Sequence, residues 1–262
     1  MRTLFGFAGF ALLALPAAAS ATDDAPETIS TDRPDFVESS LTVGAAAIQL
    51  ETSVAIERDQ GFDGGAQLLL TPTLLRVGLG AVTELRLETD GLLHQSGDDD
   101  GGSRDGIADL SLGLKYHIPQ PGPAAASSAV LLHVDLPSGS SAYRGHGARP
   151  SLRYVAEWEL PYDSGLGVMP GIVLDSDDQH ERYVAALAGI TLGHSWTPQL
   201  RSFVELAAEN IAADDHADTQ LSFDTGLAWL LSRDIQLDTA AYVGLNRYTP
   251  DFVIAVGISS RW

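Results

Sequence analysis

The sequence predicts an all-β fold, a transmembrane antiparallel up-and-down β-barrel of about 12 strands with short periplasmic turns and longer extracellular loops. Three observations predict it. Apolar and polar side chains alternate with a period of two along most of the chain. The connections alternate between tight turns and longer polar loops. The tryptophans all fall at one end of the alternating runs.

Composition excludes several other classes of protein. The 262 residues include 15 Lys and Arg against 35 Asp and Glu, a formal net charge of -20. Such a negative surface repels phosphate backbones, so no nucleic-acid partner is expected. Because the chain has no cysteine, it can form no disulfide scaffold, no Cys-ligated metal site and no Cys nucleophile.

Residues 1–21 have the features of a secretory signal peptide. Arg2 supplies the positive start, residues 4–15 the apolar run, and residues 17–21 the small side chains that a signal peptidase needs. The apolar run is shorter than the roughly 18 to 20 residues that span a bilayer. We therefore expect cleavage after Ala19 or Ala21, a periplasmic N-terminal segment or lumen plug over 22–45, and the transmembrane barrel over 46–262.

The strands are predicted in order from the alternation. In the first run the apolar side is Ile48, Leu50, Thr52, Val54 and Ile56, and the residues between them are Gln49, Glu51, Ser53, Ala55 and Glu57. Eleven further runs follow, at 66–77, 84–90, 109–117, 130–136, 152–160, 165–174, 181–195, 201–209, 223–229, 235–243 and 252–262. An even number of strands brings both ends of the chain to the same rim.

The connections assign the two rims. Tight turns are expected at 78–83, 119–125, 161–165, 197–199 and 232–234. Longer or more polar loops are expected at 59–65, 94–105, 137–148, 175–180, 210–218 and 246–250. In outer-membrane barrels the short turns are periplasmic and the long loops extracellular.

An aromatic girdle distinguishes a membrane barrel from a soluble sandwich, which would show the same alternation. The aromatic side chains on the apolar face at the predicted periplasmic ends of strands are Tyr116, Trp158, Trp196, Trp229 and Trp262. Amphipathic rings gathered at one height mark a membrane interface. The apolar faces should therefore contact outer-membrane lipid.

The opposite faces then line the lumen. The inward carboxylates are Glu51, Glu57, Glu84, Glu88, Asp90, Asp109, Asp135, Glu157, Glu159, Glu205, Glu209, Asp224 and Asp238, and the inward bases are Arg86, Lys115, Arg153, Arg201 and Arg261; His133 also lines the lumen. Thirteen acids against five bases leave an excess of eight negative charges. Small cations should therefore pass more readily than anions. Alternatively, salt bridges fill the barrel and leave no conduit.

An acidic motif precedes the first strand. It consists of Thr31, Asp32, Arg33, Pro34, Asp35, Phe36, Val37, Glu38 and Ser39. The segment either folds into the lumen, where Arg33 pairs with inward carboxylates and narrows the pore, or is a periplasmic tail that leads into the first strand. The residues leave both interpretations open.

The motif, together with segments 75–79, 84–87, 109–116 and 136–139, resembles the outer-membrane transporter family named for the meta-pathway of phenol degradation. The resemblance covers essentially the whole mature chain. It implies a bacterial outer-membrane barrel that passes small, often aromatic or hydrophobic, compounds. It implies no catalytic set on these positions.

One short motif suggests an enzyme. The spacing of His94 and Ser96 is similar to the His-x-Ser of outer-membrane phospholipases and would make Ser96 a nucleophile. Against this, the alternation turns His94 inward, no Asn on the adjacent strand orients the ring, and the segment is rich in Asp and Gly like a loop. The acidic run 98–100 with Asp105 is interpreted as a solvated loop. We predict no metal site and no cofactor.

The residues favour passage over catalysis. We predict an outer-membrane channel that passes small organic molecules passively through an acidic lumen, is not an enzyme, and needs the barrel-assembly machinery for insertion. The alternatives are an outer-membrane lipid or ester hydrolase and a structural barrel without a conduit. The sequence leaves the solute, the direction of passage, gating and the oligomeric state open.

Overall fold

The computed structural model describes residues 28–59, 66–97, 102–120, 122, 125–177, 179–212 and 218–262. The strand segments are β1 Ile48–Asp59, β2 Ala66–Leu70, β3 Thr73–Gly78, β4 Thr83–Thr89, β5 Leu92–Ser96, β6 Ser103–Ile107, β7 Leu110–Ile118, β8 Ser127–Leu136, β9 Arg149–Leu160, β10 Ser164–Ser176, β11 Arg182–Ser195, β12 Leu200–Ala212, β13 Gln220–Ser232, β14 Ile235–Gly244 and β15 Phe252–Arg261. None of the described residues forms a helix that is long and apolar enough to cross a membrane.

The strands form one antiparallel sheet that closes on itself, because β1 pairs with β15 from Gln49↔Arg261 to Arg58↔Phe252. Three couples of segments each act as one interrupted barrel strand. β1 pairs with β2 along one part of its length and with β3 along the other. β5 pairs with β2 and β4 with β3. β6 then pairs with β5 and β7 with β4. The closed antiparallel barrel therefore has twelve strands, which confirms the predicted fold class.

The three interruptions have local causes and consequences. Between β2 and β3, Pro72 has no N–H to give to a ladder. Between β4 and β5, Gly91 has φ +72°, a left-handed conformation that favours glycine. At that interruption, and again between β6 and β7, the inward and outward positions exchange parity. The β5–β6 hairpin therefore presents different residues to each face than simple alternation predicts.

The two rims differ in the length of their connections. β9 and β10 are joined by residues 161–163 and β13 and β14 by 233–234, whereas β8 and β9 at the other rim are joined by 137–148. The predicted loop 94–105 is shorter than expected, since β5 continues to Ser96 and β6 begins at Ser103. Residues 60–65, 98–101 and 213–217, in three of the predicted long loops, lie outside the described residues.

The wall is apolar outside and polar inside. On β7, Leu112 is 48% exposed and Leu114 40%, whereas Lys115 between the same neighbouring strands is 0% exposed. A soluble protein would bury the leucines and expose the lysine. Only a surface that contacts hydrocarbon and encloses its own polar groups explains this inversion.

Aromatic side chains encircle the rim with the tight turns. Tyr116, Trp158, Trp196, Trp229 and Trp262 are all exposed on the outer face. Trp262 also closes the barrel, because its N–H donates to the Ile48 carbonyl at 2.8 Å. Beside it, Arg261 donates to Asp234 in the β13–β14 turn at 2.7 Å, and this hydrogen bond lowers the pKa of the Asp234 carboxyl.

Candidate functional site

Residues 28–45, which we call the inserted segment, lie inside the barrel. The segment begins at the rim with the tight turns, where the Ile29 N–H donates to the Arg233 carbonyl at 2.7 Å. It returns to the same rim, where Ala46 N–H donates to the Gly78 carbonyl at 3.0 Å. Between these points it contacts β1, β4, β7, β9, β12 and β14. These strands surround the lumen, so the segment crosses its interior.

Inward glutamates on four strands hold the backbone of the inserted segment. Glu51 accepts the N–H groups of Asp32 at 3.0 Å and Arg33 at 3.1 Å. Glu205 accepts those of Phe36 at 2.6 Å and Val37 at 2.8 Å. Glu157 accepts the N–H of Ser40 at 2.6 Å, and Glu84 that of Val43 at 2.9 Å. A segment without secondary structure has unpaired N–H groups, and these carboxylates satisfy six of them.

A buried ion cluster joins the segment to β1, β3, β4 and β7. Arg76 donates through Nε to Glu84 at 2.8 Å and through Nη1 to Glu51 at 3.0 Å. Asp32 of the segment accepts from Lys115 Nζ at 2.9 Å and from Arg86 Nη1 at 2.5 Å. All six side chains are nearly inaccessible to solvent. Removing one partner would leave an unpaired buried charge, so this side of the segment is firmly held.

The tip of the segment packs on an apolar part of the wall. Val37 and Phe36 contact a cluster on β8, β9, β10 and β11 that consists of Ala129, Leu131, Val155, Met169, Val173 and Leu187. Two inward glycines make room for the tip. A Cβ on Gly189 would lie 2.7 Å from Val37 Cγ2, and one on Gly167 would lie 3.1 Å from Val37 Cγ1. The tip therefore occupies space that a larger side chain at position 167 or 189 would fill.

Arg33 makes a separate contact with the opposite wall. Its Nη2 lies 3.3 Å from Asp238 Oδ1 on β14. Next to it, the Tyr242 hydroxyl donates to the Pro34 carbonyl at 2.7 Å. The ion pairs of Asp32 and Glu38 with wall bases outnumber the one pair between Arg33 and a wall carboxylate in the described residues. The segment is thus held mainly by its acids, whereas the sequence pointed to its arginine.

The predicted lumen residues lie on the inner face. Glu51, Glu84, Arg86, Lys115, His133, Glu205, Asp224 and Asp238 are buried there, while Glu88, Asp109, Asp135, Arg153, Glu157 and Arg201 are partly accessible. Sequence reasoning missed Arg76, which is 0% exposed at the centre of the ion cluster. The signal was the alternation of Leu74 and Arg76 with Leu75 and Val77, which the break at Pro72 obscured.

Asp109 has a more specific role than lining the lumen. Its two carboxylate oxygens accept the N–H groups of Gly139 at 2.7 Å and Gly145 at 2.8 Å. Both glycines belong to the long loop 137–148. In the same loop, Tyr143 donates to the Arg104 carbonyl at 3.0 Å and its ring covers Gly106. Asp109 therefore fastens this loop to the ends of β6 and β7 at the rim with the long loops.

A polar cleft lies above the apolar cluster, toward the rim with the long loops. Its lining is Asp135, Arg149, Ser151, Arg153, Val173, Leu187, Glu209 and Asn210. Its enclosed part has room for about one water molecule. A β-bulge builds one side of it, since Glu209 and Asn210 of β12 face the single residue Leu187 of β11, with Asn210 at φ +53°. Val173 and Leu187 belong to both the cleft and the cluster that holds Val37.

The prediction that His94 faces inward is wrong. His94 pairs with Leu69 of β2, which pairs with the outward Ile56 of β1, and the His94 side chain is 49% exposed. The parity change at Gly91 causes the difference. The residue is also in a strand rather than a loop. Residues 98–100 lie outside the described residues, among which no group of His, Asp or Glu side chains could hold a metal ion.

Comparison with known proteins agrees with this geometry. A family model described as "Putative MetA-pathway of phenol degradation" matches residues 31–262. No curated protein matches the chain. Among solved structures, the COG4313 outer membrane channel from Pseudomonas putida F1 is similar with a TM-score of 0.65 at 14% identity, covering 87% of this chain and 99% of that chain.

Two other barrels share the fold. The NanC porin is similar with a TM-score of 0.54 at 11% identity, over 80% of this chain and 98% of that chain. The beta domain of the Bordetella autotransporter BrkA has a TM-score of 0.53 at 13% identity, over 82% of this chain and 99% of that chain. At these identities the likeness concerns the fold.

Proposed function

Because the chain belongs to the family described as "Putative MetA-pathway of phenol degradation", we propose that it is an outer-membrane channel that passes small organic molecules, aromatic or hydrophobic ones among them, passively through an acidic lumen. The observation that carries this proposal is the inserted segment. A barrel that needed only to be filled could use large wall side chains. Here the wall has glycines at positions 167 and 189, and the chain folds back to occupy the space.

The two sides of the segment suggest which part opens. Asp32 and Glu38 are tied to four wall bases, whereas the tip at Phe36 and Val37 is held by Glu205 and by apolar contacts. Displacing the tip alone would join the polar cleft to the rim with the tight turns along Val173, Leu187 and Met169. A small molecule with an apolar surface would find complementary contacts on that route.

The outer surface and the N-terminal sequence indicate the membrane in which the channel lies. The apolar belt with its aromatic girdle fits outer-membrane lipid, with residues 1–21 as the export signal. Insertion would require the barrel-assembly machinery. The inserted segment then acts as the lumen plug.

Liposome swelling tests the proposal. The mature protein and a variant without residues 22–41 are reconstituted and compared with phenol, arabinose and benzoate as solutes. We expect phenol to permeate the wild-type protein faster than arabinose or benzoate, and the deletion to raise the permeability to all three. Swelling no faster than that of empty liposomes for both proteins would instead indicate a structural barrel without a conduit.

A further inference from the structure

A second group of polar residues lies on the outer face of the barrel, away from the lumen. Ser96 and His94 are two positions apart on β5, so their side chains share one face. In the next strand, Asp105 pairs directly with His94. The same register places Leu69 and Ile56 beside His94 on β2 and β1, which makes this face the outward one.

The geometry of His94 and Asp105 prepares the imidazole to act as a base. His94 Nδ1 lies 2.6 Å from Asp105 Oδ1. A carboxylate oxygen can only accept a hydrogen bond, so Nδ1 carries the proton, and in the neutral imidazole Nε2 then presents its lone pair. Same-face neighbours on a strand are about 7 Å apart at Cα, a span that a serine hydroxyl and an imidazole ring can bridge. Asp105 and His94 are thus ordered as orienting carboxylate and base, and Ser96 carries a hydroxyl on the same face two residues along the strand.

From this arrangement we propose that Ser96, His94 and Asp105 form a serine-hydrolase centre that cleaves acyl esters of lipids at the outer surface of the membrane. The centre would act independently of passage through the lumen. The fold answers the three objections to catalysis that the sequence raised. His94 faces outward, Asp105 takes the role of the missing Asn, and the residues lie on paired strands.

The surroundings favour a lipid ester as substrate. Gln67 of β2 pairs with Ser96, and its amide is a neutral hydrogen-bond donor for an oxyanion. Arg58 of β1 pairs with Gln67 and is exposed, so it can receive an anionic head group. Toward the membrane centre the same face continues into the apolar belt at Leu69 and Ile56. An acyl chain lying on that belt would bring its ester bond to the height of Ser96.

The reaction needs water as its only co-substrate. Ser96 Oγ attacks the ester carbonyl carbon while His94 Nε2 takes the hydroxyl proton. The tetrahedral intermediate collapses with cleavage of the ester C–O bond, and His94 returns the proton to the departing alkoxide. Water then attacks the acyl-serine through the same base. A free fatty acid leaves, and Ser96 regains its proton. Ser96 and His94 are the catalytic residues, and Asp105 is a positioning residue.

Covalent labelling tests the centre without relying on turnover. The mature protein in detergent micelles is treated with a fluorophosphonate, and the modified peptide is identified by mass spectrometry. We expect the label on Ser96 and its loss in Ser96→Ala. Ser103 pairs with Ser96 on the same face, so Ser103→Ala is the matched control and should keep the label. Hydrolysis of dioleoylphosphatidylcholine in mixed micelles is measured on the same samples.

Asp105→Ala distinguishes positioning from a structural role. Alanine leaves His94 Nδ1 without an acceptor, so the hydrolysis rate should fall at least about tenfold and its dependence on pH should change, whereas Asp105→Asn keeps an amide oxygen that can accept from Nδ1 and should retain more of the rate. Wild-type protein that is neither labelled nor active, or a label that persists in Ser96→Ala, would overturn the proposal. Channel conductance is recorded in parallel. A protein that conducts but is not labelled would support the channel proposal and contradict the hydrolase proposal. A protein that is labelled but does not conduct would support the hydrolase proposal and contradict the channel proposal.

Discussion

Glu205 on β12 holds Val37 inside the barrel, its Oε2 accepting the Val37 backbone N–H at 2.8 Å. The other oxygen accepts the N–H of Phe36 at 2.6 Å. One wall carboxylate therefore fixes two consecutive peptides at the apolar tip of the inserted segment. Asp32 of the same segment is held by the ion cluster on the other side of the lumen.

Replacing Glu205 should release the tip. A hydrogen bond contributes about 1 kcal/mol, and Glu205→Ala removes two, so the balance between closed and open states should shift by about tenfold or more. Single-channel recording in planar bilayers should show longer openings. Glu181→Gln, in an exposed loop, is the control and should leave the recordings unchanged. Identical open times in Glu205→Ala and the wild type would contradict a role for the tip in gating.

A side chain at position 189 should displace the tip by volume rather than charge. A Cβ there would lie 2.7 Å from Val37 and 2.8 Å from Phe36, so Gly189→Val cannot coexist with the seated tip. We expect a larger conductance and faster swelling with arabinose. Gly193→Val is matched, since a Cβ at position 193 meets only the Ser202 carbonyl, at 3.8 Å. Equal conductance for both variants would show that the tip does not occlude the route.

Removing one cation from the ion cluster should destabilise the folded barrel. Lys115→Met leaves Asp32 with one fewer partner in a buried site, which costs about 3–5 kcal/mol. Urea-induced unfolding in detergent, followed by tryptophan fluorescence, measures the loss. The double variant with Asp32→Asn should recover part of it. Additive losses in the double variant would mean that the two residues do not interact.

A further prediction concerns the lipid-facing surface. Leu206 is 47% exposed on the outer face of β12, and arginine at the bilayer midplane costs about 2–4 kcal/mol in a membrane barrel. Leu206→Arg should therefore destabilise the protein in vesicles. Leu160→Arg, beside the rim with the tight turns, should cost about 1 kcal/mol or less. Equal stability of both variants and the wild type would argue against a membrane setting.

The charge of the lumen should determine whether cations or anions pass preferentially. Arg33 pairs with Asp238 and is a cation of the inserted segment, so Arg33→Ala leaves the lumen more acidic. The reversal potential in a KCl gradient should show preference for K⁺ in the wild type and a stronger preference in the variant. The effect should weaken at high salt. A reversal potential that favours chloride would contradict the acidic-lumen prediction.

Much of the architecture could be predicted because a membrane barrel repeats one rule at every strand. The alternation that assigned Leu112 outward and Lys115 inward needs no knowledge of partners. His94 was misplaced because the irregularity at Gly91 reverses the rule through the β5–β6 hairpin, until a second exchange of parity between β6 and β7 restores it. The contacts of Glu205 could not be predicted, since the inserted segment has no periodicity that indicates where its N–H groups lie.

The ion cluster and the tip lie in different parts of the inserted segment, so the stability of the protein and the opening of the passage should depend on different residues. Mutations around Arg76 change how well the whole protein survives, because buried charges there depend on one another. If the channel proposal holds, mutations around Val37 should change how often the passage is open, because Val37 lies in the seat formed by β8 to β11. Selection could then adjust permeability at the tip separately from the stability that the ion cluster provides.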